Sequence, residues 1–498
     1  AESVFQKQNS SFAEPVRVRF VGRVMVTDTA PAERFTQKDF SQLSRFSIGE
    51  KGEHAFLAAI SAPPANLAQN SLMITDVKVV EDPTRTWNYC TQKGTATGPW
   101  TFGTLMREMA SANPASIATD AEVSKFVLAW LAKWDTDQTI NGDVVGARTK
   151  MKTDVTDVWL AKSEAAGSPK GQLDMKFAPF RLLAIVNRVD LRGNVGYGST
   201  NAGEGRFVFC LINPNCNAEQ FTVIFEYGIN KKGCSAVKAW GQQWYNLASL
   251  ALGSTAYNDA LQKITDQFSK CGTNTAKPNQ SSLNQLRTNE IALANPWQLR
   301  EFNVLGNPGQ LQEVTVKQEP DDKYNGHLAT STAADVEVLA KYVNTNQAAI
   351  INNTNKVPEM IGANHFLGGA AHTQFPPSGT PPNVHHWNGT TGAGAGFINS
   401  NDARFNFSLN TCSGCHGGET QTFFTQIKPA GFGTAAPLAG FLTGISVTDA
   451  ATRPSSPQRP FNDLLRRAQD LEKLVNTRCK GIFGIRDILT FKPLNMEH

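Results

Sequence analysis

The run FRLLAIVNRVDL at Phe180–Leu191 is the feature that most constrains the fold of this chain. It is largely apolar and has the length of a strand, and such runs are usually central strands of a buried sheet. Arg206–Ile212 and Phe221–Tyr227 predict two further strands. Amphipathic helix patterns follow at Val237–Leu252 and Ala256–Ser269. The middle of the chain is therefore expected to combine a sheet with helices.

The regions on either side of this middle part have different patterns. Apolar and polar residues alternate at Val16–Val26 and again at Leu72–Val80, which predicts strands near the N-terminus. A helix pattern covers Asp335–Asn352, and a second covers Asn462–Asn476. Between them, Gly and Pro exclude regular structure over a long stretch at 366–400, and loops of that length are usually functional or linking.

These patterns divide the chain into four regions and give the fold class α+β. The predicted regions are a β-rich domain at 1–110, a mixed α/β domain at 111–330, a helix with a Gly/Pro/His-rich loop at 331–400, and a mainly α-helical, loop-rich region at 401–498. Asn141-Gly142 predicts a tight hairpin turn. A calcium loop is the alternative there, but the spacing of the carboxylates does not match an EF-hand.

The charge of the chain bears on its partners. The net charge is +4 over 498 residues, and no run of Lys and Arg is long enough to serve as a nucleic-acid surface. No segment approaches the ~18 uninterrupted apolar residues of a membrane span. We therefore expect neither nucleic-acid binding nor a membrane-spanning segment.

The cysteines indicate the compartment. Apart from a CxxC pair, six cysteines remain, and they allow three disulfides in fifteen possible pairings. Short spacing favours Cys210–Cys216 and Cys234–Cys271, which leaves Cys90–Cys479. Disulfides form in oxidising compartments, and the first residue is Ala1, as after removal of a signal peptide. These features predict a periplasmic or extracellular protein; buried free thiols in a cytosolic protein are the alternative.

The motif that carries chemistry is CSGCH at Cys412–His416. Cysteines three residues apart lie on one face of a helical turn, so both sulfurs can reach the two vinyl groups on one edge of a porphyrin. His416 follows directly, and its ring can become the proximal ligand of the iron. CxxCH is the pattern of c-type haem attachment. The alternatives are a CxxC disulfide or redox pair, and half of a zinc site.

This segment resembles the haem-attachment site of the cytochrome c superfamily, over only about 30–40 of the 498 residues. The wider stretch at 405–444 is also similar to large uncharacterised secreted proteobacterial proteins. The resemblance implies one covalent haem c, with Cys412 and Cys415 as thioether residues and His416 as proximal ligand. It also implies a cytochrome c-like haem-binding region at 401–498.

The distal ligand departs from the usual cytochrome pattern, because the only Met after the motif is Met496. Several candidates precede the motif instead, and four of them are histidines in or beside the Gly/Pro-rich loop. In order of preference, these candidates are His372, His385, His386, His365 and Met360.

Three functions remain open from the sequence. With two strong axial ligands the haem would transfer electrons to or from a redox partner protein or an extracellular acceptor, and the large remainder of the chain would serve as a partner- or surface-binding module. With an open distal position the chain would be a haem enzyme, that is, a peroxidase, oxidase or oxygenase. The third reading is a secreted structural or adhesion protein.

Overall fold

The computed structural model describes residues 18–21, 24–27, 63–193, 202–326, 331–373, 387–390, 394–422, 424–449 and 457–479. The chain divides into two compact units, Ala1–Ala59 and Ile60–His498. In the first unit, β1 (Val18–Val21) and β2 (Val24–Thr27) pair antiparallel with Val21 opposite Val24. The single strand predicted over Val16–Val26 is therefore a hairpin. The boundaries predicted at 110, 330 and 400 all fall inside the second unit.

The fold of the second unit is α+β. Its strands are β3 (Met73–Ile74), β4 (Trp87–Asn88), β5 (Lys93–Gly94), β6 (Gln138–Ile140), β7 (Asp143–Val145), β8 (Phe180–Arg188), β9 (Glu204–Ile212), β10 (Ala218–Gly228), β11 (Leu283–Glu290), β12 (Trp297–Leu305), β13 (Gln310–Val314), β14 (Met360–Ile361), β15 (Asn364–His365), β16 (Ala370–Thr373), β17 (Ile445–Thr448) and β18 (Gln458–Phe461). The main sheet has the strand order β13-β12-β11-β10-β9-β8-β3, with β16 also paired to β12. Every pairing in it is antiparallel. The other strands form hairpins.

The helices lie before, between and after the strands of this sheet. They are α1 (Leu67–Ser71), α2 (Val77–Val80), α3 (Phe102–Ala110), α4 (Asp120–Leu131), α5 (Asp157–Ala165), α6 (Cys234–Asn246), α7 (Thr255–Ser269), α8 (Ala333–Thr345), α9 (Gln347–Ile351), α10 (Asn401–Leu409), α11 (Cys412–Cys415), α12 (Gly440–Thr443) and α13 (Asp463–Asn476). A π-helical turn covers Met151–Thr156. None of the described helices is both long and apolar enough to cross a bilayer.

Several predicted elements are confirmed and one is wrong. The strands β8, β9 and β10 and the helices α6, α7 and α13 lie where the patterns predicted them. The predicted strand at Leu72–Val80 is wrong, because only β3 is extended and α2 follows it. Asp76 caps this helix by accepting a hydrogen bond from the amide of Lys78 at 2.8 Å. After residue 62, the described part of 1–110 contains three helices and three two-residue strands, so it is not β-rich.

The predicted turn at Asn141-Gly142 is confirmed. It joins β6 and β7, and both residues have positive φ, 48° and 78°. Two-residue hairpins of this kind require positive φ at both positions, which Asn and Gly adopt at low cost.

One face of the main sheet carries aromatic side chains and packs against helices; we call it the aromatic face. Because side chains alternate along a strand, it includes Phe207, Phe209, Phe225, Tyr227 and Phe302. Phe102 of α3 stacks on Phe180, with ring centroids 4.2 Å apart, and contacts Phe209 and Phe225 edge-on. This face forms the larger part of the apolar core.

The opposite face, the polar face, carries charged and amide side chains: Arg188, Glu204, Arg206, Glu226, Gln285, Arg287 and Glu301. All of them are buried. The segment after α10 covers this face, since Arg181 donates hydrogen bonds to the carbonyl oxygens of Ala430 and Thr434. The CSGCH motif belongs to this covering segment.

The disulfide pairing differs from the one predicted. Cys90 pairs with Cys216, and Cys234 pairs with Cys479, whereas Cys210 and Cys271 are buried thiols. The Cys210–Cys216 pairing is wrong because Cys210 lies inside β9, with its sulfur 3.7 Å from the Ala430 carbonyl oxygen, while Cys216 lies in the following turn. Cys210 and Cys216 are therefore close in sequence but are not placed to form a disulfide.

Peptide mapping without reductant is expected to recover Cys90 linked to Cys216 and Cys234 linked to Cys479. Cys210 and Cys271 should be alkylated only after unfolding, because both side chains are buried. Mass spectrometry of a digest made after alkylation under native and then denaturing conditions measures both results. A linked Cys210–Cys216 peptide would contradict the fold around β9.

Candidate functional site

The CSGCH motif begins a single helical turn that follows α10 directly. Thr411 stands at the N-cap of α11, where its hydroxyl accepts a hydrogen bond from the amide of Gly414 at 3.0 Å. The same hydroxyl donates to the Ser408 carbonyl oxygen at 2.6 Å. A Cβ at Gly414 would lie 2.1 Å from that carbonyl oxygen, so only glycine fits there. The turn is therefore held tightly against the end of α10.

A buried carboxyl group holds the same turn from another part of the chain. Glu319 Oε2 accepts a hydrogen bond from the amide of Ser413 at 3.1 Å. The side chain is fully buried, and burial raises the pKa of Glu319 to about 8 in spite of the hydrogen bonds from Ser413. Trp387 adds a second anchor, since its indole N–H lies 3.0 Å from the hydroxyls of Thr411 and Ser413.

The two cysteines of the motif are buried and are not joined to each other as a disulfide. Cys412 packs in an apolar cluster with Trp297 and Phe424. Cys415 Sγ accepts a hydrogen bond from Gln426 Nε2 at 3.1 Å, and burial raises the pKa of this thiol to about 12. Thiol–disulfide exchange needs an accessible thiolate, so the arrangement disfavours a dithiol redox pair.

His416 is oriented by the chain that follows it. Its Nδ1 lies 2.7 Å from the carbonyl oxygen of Phe424, and a carbonyl can only accept a hydrogen bond, so Nδ1 carries the proton. The lone pair then resides on Nε2, which is the usual arrangement of a metal-binding histidine. Burial lowers the pKa of His416 to about 4, so the ring is neutral at pH 7. The indole of Trp297 stacks on it, with centroids 5.2 Å apart.

A small cavity of about 40 Å³ lies against His416, between the polar face and the segment that covers it. Three of its lining residues are arginines from different elements: Arg188 of β8, Arg206 of β9 and Arg467 of α13. Apolar side chains such as Val208 and Ile224, together with the polar Thr222 and Asn289, line it from the sheet side. The cavity has room for a water molecule or two.

The described distal-ligand candidates do not meet His416. The pairing of β16 with β12 places His372 opposite Gln298, on the aromatic side of the sheet, while Ala371 shares the side of Trp297. His372 Nδ1 lies 3.1 Å from a carboxylate oxygen of Asp322. His372, the first choice as distal ligand, therefore lies on the other side of the sheet from His416 in this structure.

The other candidates fall elsewhere. His365 is exposed, and its Nδ1 lies 2.8 Å from Asn141 Oδ1 at the β6–β7 turn. Met360 is 40% exposed in β14, the strand that pairs with the strand of His365. His385 and His386 lie outside the described residues.

The donor set of the motif fits a haem c. It offers two thiols that are not used in a disulfide and one neutral imidazole with its lone pair on Nε2. The cavity beside His416 is too small for a haem. It measures about 40 Å³, whereas ligand pockets commonly measure about 300–1,000 Å³. A bound macrocycle would require the covering segment after His416 to move away from the sheet. For zinc, the part of the chain that the structure describes contains no group of three or more His, Cys, Asp or Glu side chains suited to a metal ion.

Sequence reasoning missed Trp297, Glu319 and the three arginines of the cavity. Arg188 and Arg206 are charged residues near strand ends, and such side chains ordinarily face water. Nothing local distinguishes a charged face that is exposed from one that a distant segment covers.

Comparisons with known protein families, with curated proteins and with solved structures find no match to this chain.

Proposed function

We propose that this chain is a periplasmic or extracellular c-type haem protein that carries one haem on Cys412 and Cys415, with His416 as the axial ligand. The observation that carries the proposal is the state of His416 directly after the CxxC pair. Its ring is buried and neutral, and the Phe424 carbonyl holds the Nδ1 proton, which leaves Nε2 as the donor atom. The two disulfides support an oxidising compartment.

The role proposed for the protein is electron transfer with a redox partner protein or an extracellular acceptor. A haem bound at the motif would supply a one-electron couple. The chain's own part is to hold the ligand and to keep water away from it. Trp297 packs against the plane of the His416 ring, and Glu319 and Trp387 fix the turn that carries both cysteines.

One observation favours a second candidate, a haem enzyme with an open distal position. His365, His372 and Met360 all lie away from His416, so none of these three is placed as a second ligand. The spectrum of the ferric protein distinguishes the two. A six-coordinate, low-spin haem that binds cyanide slowly supports electron transfer, and a high-spin haem that binds cyanide rapidly supports the enzyme.

Expression of the full chain together with the periplasmic haem-attachment machinery is expected to add the mass of one haem, which survives denaturation. The Cys412→Ser/Cys415→Ser double variant should lose it, because no thioether can form. Cys271→Ser removes a buried thiol outside the motif and is the matched control that should keep the haem. An unmodified mass, from cells that load a known c-type cytochrome under the same conditions, would exclude the proposal.

A further inference from the structure

A second cavity lies where the β4–β5 hairpin meets α3 and the start of β8. Its volume is about 200 Å³, and it shares no lining residue with the cavity beside His416. It reaches the surface, because Thr91 and Lys93 line it and are exposed. An apolar cavity of about 150 Å³ can hold benzene, so this one has room for a ligand with a single six-membered ring.

The wall that the β4–β5 hairpin contributes is fixed by contacts with other parts of the chain. Cys90 lies between the two strands of the hairpin and is bonded to Cys216, in the turn between β9 and β10. The indole N–H of Trp87 donates a hydrogen bond to the carbonyl oxygen of Lys176 at 2.9 Å, which orients the ring. The cavity is therefore preformed, and a ligand would not have to order this wall when it binds.

Aromatic side chains form much of the wall. They are Trp87, Trp100, Phe102, Phe180, Phe209 and Phe432. Four of these rings are buried, but Trp87 and Phe432 are only half-buried. These two rings leave apolar surface in contact with water. A ligand with an apolar face would remove that surface from water by packing against it.

Polar groups surround these rings and include both acceptors and donors. The hydrogen bonds that Glu81 accepts within the described residues, from Arg181 and from a backbone amide, all go to Oε1, so Oε2 remains as an acceptor. Asn88 Oδ1 accepts from two backbone amides of its own turn, which leaves Nδ2 as a donor. The Thr91 hydroxyl and the Lys93 ammonium are further donors.

The charges near the cavity favour a ligand without net charge. The guanidinium of Arg181 lies 5.6 Å from the centre of the Phe432 ring, and the ammonium of Lys176 lies 6.0 Å from that of Trp87. A cationic ligand would compete with these two side chains for the faces of the rings. An anionic ligand would meet the carboxylate of Glu81. A neutral ring that both donates and accepts hydrogen bonds is the chemistry that remains.

We propose that this cavity binds a single pyranose unit, either a free monosaccharide or the terminal sugar of a longer saccharide. A pyranose is neutral and has a six-membered ring. Its C–H groups give it apolar faces, which fit the rings of Trp87 and Phe432. Its hydroxyls project from the edge and both donate and accept, as Glu81, Asn88 and Thr91 require. The site does not depend on a haem at the CSGCH motif.

The test titrates the full chain with the methyl glycosides of glucose, galactose, mannose and N-acetylglucosamine, each alone, followed by isothermal calorimetry. Benzoate and benzylammonium serve as charged rings of similar size. At least one glycoside is expected to bind with a dissociation constant on the order of 1 mM, the affinity of a ligand with about a dozen non-hydrogen atoms. It should bind more tightly than either charged ring.

Two substitutions in the wall should weaken binding of that glycoside. Trp87→Ala removes the ring face and should weaken it about tenfold or more, whereas Trp87→Phe keeps a ring face and should stay within about threefold of the parent. Asn88→Asp keeps the acceptor that the turn needs and removes the Nδ2 donor, so it should weaken binding about 3- to 10-fold. It decides the matter if Trp87→Ala does not fold.

Asn113→Asp is the matched control, because Asn113 Oδ1 accepts a backbone amide in the same way and the residue does not line the cavity. It should bind the glycoside as the parent does. Three results would each overturn the sugar site: no binding of any of the glycosides, tighter binding of a charged ring, or equal binding by the parent, Trp87→Ala and Asn88→Asp. None of them bears on haem attachment, which the mass of the loaded chain tests separately.

Discussion

Replacing Arg287 by methionine is expected to lower the free energy of unfolding by about 3–5 kcal/mol. Arg287 is fully buried at the centre of the polar face. Its guanidinium lies 2.9 Å from Glu301 and 3.5 Å from Glu226, and both carboxylates are themselves fully buried. Methionine would remove one of the two cations that face each carboxylate, leaving Arg206 beside Glu226 and Lys317 beside Glu301. The loss reflects uncompensated buried charge rather than the net worth of the ion pairs.

Urea denaturation followed by circular dichroism measures this change. The slope of the unfolding free energy against urea concentration should stay the same, which would show that the unfolded state is unchanged. Lys152→Met is the matched control, because it breaks an ion pair with Asp157 in which both side chains are about half exposed. Its effect should be far smaller. Adding Glu226→Gln and Glu301→Gln to Arg287→Met should recover part of the stability. Similar losses in Lys152→Met and Arg287→Met would show that the polar face is hydrated rather than buried.

Glu319→Gln is expected to change how stability depends on pH. The pKa of Glu319 is raised to about 8 in the folded chain, against about 4.3 for an unperturbed glutamate. Between these values the folded chain holds a proton that the unfolded chain has lost. Stability should therefore be greatest at low pH and fall as pH rises through this window, by on the order of 1 kcal/mol per pH unit. Glutamine resembles the protonated acid, so the variant should lose this decline.

Urea midpoints measured from pH 5 to pH 8.5 test this expectation. At pH 8.5 Glu319→Gln should be more stable than the parent, and near pH 5 the two should agree, since the amide oxygen can still accept from Ser413. Glu337→Gln, at an exposed position of α8, corrects for the general effect of removing a carboxylate. A profile for Glu319→Gln that runs parallel to that of the parent would show that Glu319 is ionised in the folded chain.

The elements that were predicted correctly are those whose own residues show which side chains will be buried. β8 is largely apolar, and α13 has a strong apolar stripe, so each could be recognised without knowing its neighbours. The strand predicted at Leu72–Val80 is wrong because a single capping residue, Asp76, favours a helical turn over the alternation that follows it. The disulfides are wrong for a different reason, since pairing depends on which distant segments meet.

The residues of the candidate site also fall into those that the sequence predicts and those that only the fold brings together. The spacing of Cys412, Cys415 and His416 is local and was visible in the sequence. The carbonyl of Phe424 that orients His416 and the stacking of Trp297 are tertiary contacts, and so are the arginines of the cavity. The side of the sheet on which His372 lies depends on register, because a shift of one residue in β16 would have placed it on the other side.

The covering of the polar face by the last part of the chain has a consequence for synthesis. Proteins are made from the N-terminus, and partly made chains aggregate where they expose apolar surface. The strands of the main sheet, apart from β16, are complete by residue 314, whereas the covering residues come after residue 410. Until those residues are made, this side of the sheet presents arginine, glutamate and glutamine to water. We expect these charges to disfavour self-association of an incomplete chain, although they are buried once the chain is complete.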